Sequence, residues 1–470
     1  MQQEFFHILP EFFERVTGKS VTKFATPDTF VDAIKKNPRR LAKRAESAFP
    51  WVIDTLASFY SRHKMAAFQE GRETGGMKLV LGGGSRFTAS HLQAVRKMLL
   101  YADTILIPDP VLPWLEVERK AEKFRLVNLL KNIFMLLHLK PLVEANLTYP
   151  AIIVFPSYEK SLEEHDEETR TYIKNLVVNF LSYYMGQRFE SLDDTMQYVR
   201  ASEEEFLQQV ERKELFVPPG AGGVAGLGIS EAIKRYRQYI RTWRSEQFVK
   251  QYESLSNGEL VWNGIFERLA PQWHLIENAD ELRAQPMLIF GAHWHYYTLC
   301  TEMYQGRLVE ANYLQPSTVN TLRALSESRF AWLGNVPIEA LVKLREQNEN
   351  EEFRKRISTF TSELYEAAIE DIDPVAAEVG RGIASLLREH NNRVQEIKEK
   401  YARRYGKTLV AAWVTLAANF VPSLAPFVSI VPPVTLVGKY VWDKVDEISE
   451  KRKASRSLTG VLAAAKEHGT

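Results

Sequence analysis

Over the first seventy residues apolar side chains recur every three to four positions, as in Phe5, Phe6, Leu9, Phe12, Phe13 and Val16. That period lays one apolar face along an α-helix. Thr26-Pro27-Asp28 is a start signal for a further helix through Phe30, Val31 and Ile34. After the polar break Gly71–Gly76 the pattern changes to short apolar runs, Met77–Leu81, Thr104–Ile107, Ala151–Phe155 and Met287–Phe290, of which Ala151–Phe155 is unrelieved by any polar residue. Runs of this kind predict strands of a sheet covered on both faces. A helical pattern over Ser90–Tyr101 bridges the first two in about twenty residues, the signature of a parallel β-α-β unit. Trp114–Leu139 reads as helix. From Ser157 to Pro286 helical patterns dominate, at Tyr172–Tyr184, Leu192–Val210 and Ser230–Tyr252, divided by the Gly-rich stretch Pro218–Gly228.

The C-terminal half is predicted to be mainly helical. Asn335 suits the cap of a helix starting near Pro337, with Glu339 in its first turn. Asp373-Pro374 opens a longer helix whose stripe includes Val379, Ile383, Leu387, Val394 and Tyr401. Unbroken to Tyr405, it would be about 48 Å long. It leads into Thr408–Gly438, which has no charged side chain between Lys407 and Lys439. Pro422, Pro426, Pro432 and Pro433 interrupt this tract. A straight helix through four prolines is disfavoured, and Leu409–Val421 alone would rise only ~20 Å, short of the ~30 Å hydrocarbon layer. The expectation is a helical hairpin, Leu409–Phe420 returning through Val434–Val445, buried in protein or lying against a membrane. The flanking Lys and Arg suit anionic headgroups and solvated helix ends alike.

These elements predict an α/β core, a small parallel sheet of about four strands, with a helical insertion and a mainly helical C-terminal half, helix-rich overall. The boundaries are a helical N-terminal region at 1–70, a discontinuous α/β core at 71–157 and 286–335, and the insertion at 158–285. A helical bracing region follows at 336–406, then the hydrophobic hairpin and basic tail at 407–470. Composition adds three constraints. The net charge of +1 over 470 residues singles out no partner. A lone cysteine, Cys300, excludes an internal disulfide and fits a reducing compartment. The N-terminus lacks a basic stretch followed by an apolar core, so no signal peptide is read there, and the expected location is cytoplasmic with membrane association open.

Candidate chemistry follows from position. In open parallel sheets ligands bind beyond the carboxyl ends of the strands. Those ends carry Gly83, Gly84, Ser85 and Arg86, then Asp109, then Ser157 with Glu159, then His293 with His295. On one shared sheet they would converge into a pocket for a small anionic ligand. The Gly-Gly-Gly-Ser-Arg run matches neither a Walker A motif nor the spaced dinucleotide glycines. His293-x-His295, read as extended chain, would place two imidazoles on one side and begin a divalent-metal site completed by Asp109, Glu159 or Glu302. Aromatic neighbours equally suit packed histidines. Pro108-Asp109 with Glu118-x-Lys120 fits the order of a metal-dependent nuclease signature, but Trp114–Lys123 reads as helix and the match is discounted. Between Ser230 and Tyr252, Arg235, Arg237, Arg241 and Arg244 interleave with aromatics, a pattern that suits nucleic acid, an acidic partner, or a charged face over an aromatic core.

Three functions follow as expectations. The first is a ligand-sensing or regulatory protein, of a kind that would fit a bacterial stress or defence effector, with the strand-end pocket coupled to the hydrophobic hairpin. The second is a hydrolase or nuclease using His293 and His295 with Asp109 and Glu159. The third is a scaffold gripping nucleic acid or an acidic macromolecule through the basic helix. Homo-oligomerisation is compatible with each.

Overall fold

The computed structural model describes residues 1–24, 27–36, 38–82, 88–112, 122–155, 167–219, 227–243, 246–288, 291–327, 329–334, 336–405 and 410–415. The N-terminal helices are α1 (Gln2–Thr17), α2 (Pro27–Lys36) and α3 (Pro38–Glu73). Gly18, at φ 72°, closes α1 in the left-handed conformation that only glycine adopts freely. Then come β1 (Lys78–Leu81), α4 (Thr88–Met98), β2 (Thr104–Pro108), α5 (Glu122–Leu137), α6 (Lys140–Glu144) and β3 (Ile152–Phe155).

The insertion holds α7 (Glu167–Met185), α8 (Leu192–Ala201), α9 (Glu203–Arg212), α10 (Ile229–Trp243), α11 (Glu246–Glu253) and α12 (Asn257–Glu281). The sheet is completed by β4 (Gln285–Met287), followed by α13 (Gly291–Glu310) and α14 (Pro316–Glu327). The remainder is β5 (Arg329–Gly334), α15 (Ile338–Glu346), α16 (Glu351–Glu366), α17 (Ile372–Tyr405) and β6 (Val410–Thr415).

All four core strands are parallel, in the order β3-β2-β1-β4. Alternation along them is strict. Leu79, Leu81, Ile105, Ile107, Ile152 and Val154 join one apolar cluster with α1, α3, α4 and α5. Val80, Leu106, Ile153 and Phe155 join another with α12 and the end of α3. Both faces are therefore dry, as the apolar runs require, and each fully buried side chain contributes about 1.5–3 kcal/mol.

The insertion has its own core, centred on Phe180, Phe206, Phe216, Tyr236 and Leu260. Two helices belong to both regions. Leu260, Ile265 and Leu269 of α12 pack in the insertion while Leu275, Ala279 and Leu282 pack on the sheet. Tyr296 and Tyr297 divide α13 in the same way.

Several expectations change. Leu192–Val210 is two helices parted at Ser202, and Ser230–Tyr252 is likewise α10 and α11. The helix α12 was not read, because Gly258, Gly264 and Pro271 break its pattern. The first arm of the expected helical hairpin is corrected: Val410–Thr415 is a strand, antiparallel to β5 with Arg329 opposite Thr415 and Gly334 opposite Val410. A short apolar run fits helix or strand equally, and Val410, Trp413, Val414 and Thr415 favour the strand. Residues 416–470, including the four prolines and the return arm, lie outside the described residues. Among the described residues no helix is long and apolar enough to cross a membrane. The long stripe of α17 is buried as expected, with Val379, Ile383, Leu387, Val394 and Tyr401 in the main core.

Candidate functional site

Strand order fixes where a ligand would sit. The chain steps from β1 outward to β2 and β3, then returns to place β4 on the opposite side of β1. After β1 it leaves toward α4 on one face, and after β4 toward α13 on the other. A crevice opens outside the carboxyl ends where such connections diverge, here between β1 and β4. The two strands hold together up to that edge, where Gly82 N donates to Met287 O at 2.9 Å. A Cβ on Gly82 would lie 2.7 Å from Leu275 Cδ2, so glycine lets α12 close over the strand end.

The face of α12 that meets this edge continues outward. Leu275, Gln272 and Arg268 are spaced three and four apart, on one side of the helix. Because α12 descends toward the amino end of β4, Gln272 lies about one turn and Arg268 about two turns beyond Leu275. Pro271 stands between them and removes the amide that would bond to the Glu267 carbonyl. Gln272 is 1% exposed, and its Oε1 has no hydrogen-bond partner among the described residues. The half-buried Arg268 makes no hydrogen bond or ion pair among the described residues, and its charge acts on His293 and Tyr296. Burial and that charge together bring the His293 pKa down to about 4, so the imidazole is neutral at pH 7. The helix α13 begins at Gly291 and turns its N-terminal amides to the same edge.

The expected site residues fare differently. Gly83, Gly84, Ser85, Arg86, Ser157 and Glu159 lie outside the described residues, although the strands that lead to them are adjacent and parallel. Asp109 is at the end of β2 but is 3% exposed. Its Oδ2 accepts from Tyr60 Oη at 2.6 Å and its Oδ1 from Val111 N at 2.7 Å. It is an anchor for the turn and for α3, not an open ligand group.

The paired-imidazole reading is corrected. His293 and His295 lie in the first turns of α13, where residues two apart do not share a face. His295 Nε2 donates to Glu214 O at 2.7 Å, and burial lowers its pKa. Among the described residues no group of three or more His, Cys, Asp or Glu gathers to hold a metal ion. Cys300 is buried, which pushes its thiol up to about 12 and leaves no nucleophilic thiolate at neutral pH.

On the basic helix, Arg235 pairs with Glu231 at 2.9 Å and Arg241 with Glu253 at 2.9 Å. Arg237 donates to Asn257 Oδ1 at 3.1 Å, while Arg244 lies outside the described residues. Tyr236 and Ile240 are buried beneath them, so α10 is a charged face over an aromatic core. Arg268 and Gln272 are the groups that sequence reading missed. A mid-helix proline between an arginine and a glutamine was the only signal. Comparison with protein families, characterised proteins and solved structures finds no match to this chain.

Proposed function

We propose that this chain is a ligand-binding protein whose crevice between β1 and β4 takes a small anionic molecule. The observation that carries the reading is Arg268, a half-buried cation with no partner among the described residues, at the switch point of a parallel sheet. The amides at the start of α13 add positive potential. The Gln272 oxygen, without a partner among the described residues, offers an acceptor for a ligand N–H or O–H. Because α12 and α13 each pack in two cores, an occupied crevice would bias how the insertion meets the sheet.

The test is calorimetric titration of the full chain with inorganic pyrophosphate and ADP. At least one should bind, and Arg268→Gln should weaken it about tenfold or more, as loss of one charge-assisted contact requires. An anion beside His293 opposes the effect of Arg268 and raises the imidazole pKa in the complex. The occupied state then holds a proton more readily, so affinity should rise as pH falls from 7 toward 5. His293→Ala should flatten that slope. Absence of binding, or equal affinity in Arg268→Gln, would refute the proposal.

A further inference from the structure

A second anion site is built at the other end of the molecule. Between Lys19 and Arg44 the sequence carries eight lysines and arginines against two acids, Asp28 and Asp32, in a chain whose net charge is only +1. Some exposed cations elsewhere find carboxylates, as Arg15 does with Glu11, Arg62 with Glu4 and Arg200 with Glu259. In this segment Lys19, Lys23, Lys36, Arg39, Arg40 and Lys43 are exposed and make no ion pair among the described residues. Arg39 and Arg40 stand in the first turn of α3, which carries no acid. Cations there oppose the helix dipole, so their placement costs stability.

Two of these cations, Lys19 and Arg40, rim a recess of about 290 Å³ at the junction of α1, α2 and α3 together with the half-buried Arg44. The floor is apolar, with Phe24, Phe30 and Leu41. It is also stiff. Phe30 stacks on Phe134 at 4.8 Å and 5° and meets Phe13 and Phe24 at 5.2 Å each. Arg44 is held by donating from Nη1 to Thr17 O at 3.0 Å, which satisfies the end of α1 and leaves its other N–H groups for a ligand. The ring faces of Phe24 and Phe30 are buried at 8% and 0% exposure, so they offer no platform for stacked bases. The volume is at the small end for ligand pockets.

We propose that this recess binds a phosphomonoester, its dianionic phosphate between Lys19, Arg40 and Arg44 and its compact apolar body against the partly exposed Ala33 and Leu41. The phosphate can belong to a free small molecule or to a lipid headgroup, and the chemistry of recognition is shared.

The full chain is titrated with phenyl phosphate and with inorganic phosphate, and is sedimented with phosphatidylcholine vesicles containing either phosphatidic acid or phosphatidylserine at matched charge. Phenyl phosphate should bind about tenfold or more tightly than inorganic phosphate if the source is a free molecule. Preference for phosphatidic acid over phosphatidylserine marks the lipid source. In either arm Arg40→Glu should abolish the preference without lowering the melting temperature, because Arg40 is exposed, makes no ion pair among the described residues, and an acid in the first turn of α3 suits the helix dipole. Lys19→Glu should do the same, and Arg268→Gln should have no effect, which separates this site from the strand-end crevice. No binding in either arm, equal sedimentation with both anionic lipids together with no preference for phenyl phosphate over inorganic phosphate, or full binding by Arg40→Glu would overturn the proposal.

Discussion

Asp103 is a carboxylate on which two distant helices converge. It is 7% exposed just before β2, and its Oδ1 accepts from Arg354 Nε of α16 at 2.7 Å and from Arg345 of α15 at 3.4 Å. Its Oδ2 accepts from Met77 N at 2.9 Å. Burial pushes Arg345 down to about 10, still charged at neutral pH. Arg354 also donates to Leu100 O and Glu349 O. Removing the acid leaves two buried guanidiniums sharing one cavity, and breaking a buried pair from one side costs about 3–5 kcal/mol. Asp103→Ala should therefore lower unfolding stability by that order in a urea titration. Arg345→Met should cost less, since the shorter Arg354 bond survives. A loss under about 1 kcal/mol for Asp103→Ala would show that this cluster does not brace the C-terminal helices. None of this is legible in the sequence: Asp103 reads as a turn residue, and the arginines read as helix surface. The candidate crevice was legible at the strand ends, where the apolar runs of β1 and β4 stop at Gly82 and Gly291. Its charged wall was not, because Arg268 reaches the edge only through the packing of α12.

At the scale of elements, the sheet depends on how its free edge is closed. β3 is an edge strand, and such a strand offers unpaired amides and carbonyls. Gln2 of α1 covers it: Nε2 donates to Val154 O at 3.0 Å, and Oε1 accepts from Val154 N at 3.0 Å. One side chain thus imitates a strand neighbour across 152 residues of sequence. Gln2→Leu would leave both backbone groups buried and unpaired, at about 1–3 kcal/mol each. The expected result is a melting temperature several degrees lower and faster exchange of the Val154 amide. Unchanged exchange would mean that water or another group covers the edge. The four parallel strands were readable because a sheet covered on both faces needs continuous apolar runs. β5 and β6 were not, since a two-stranded antiparallel pair imposes no such run and its partners lie about eighty residues apart. The helical first arm of the expected hairpin failed on the same ground: hydrophobicity shows that a segment avoids water and leaves its backbone geometry open.

For the whole molecule, the question is whether the insertion and the sheet fold as one unit. Sequence reading separates them cleanly, because helical patterns fill the space between two strands that stand at opposite edges of the sheet, three places apart. The packing joins them again. The helix α12 is continuous from Asn257 to Glu281 and serves the insertion core at one end and the sheet at the other. Tyr296 fixes α13 to the insertion by accepting from Val217 N at 3.0 Å and donating to Leu215 O at 3.2 Å, while the next residue, Tyr297, packs on the sheet side. A continuous helix packed in both cores couples their opening, so the two cores should unfold together. Phe206→Ala tests this. Phe206 is fully buried in α9, far along the chain from any strand, and its loss should cost about 3–5 kcal/mol. If the cores are one cooperative unit, hydrogen exchange at Ile105 N, bonded to Ala151 O at 2.9 Å, should accelerate by the same factor as exchange within α8 and α9. If Ile105 keeps its protection while the insertion opens, the two are separate units. Occupancy of the strand-end crevice would then act as a clamp between them, with ligand restoring the lost coupling in the variant.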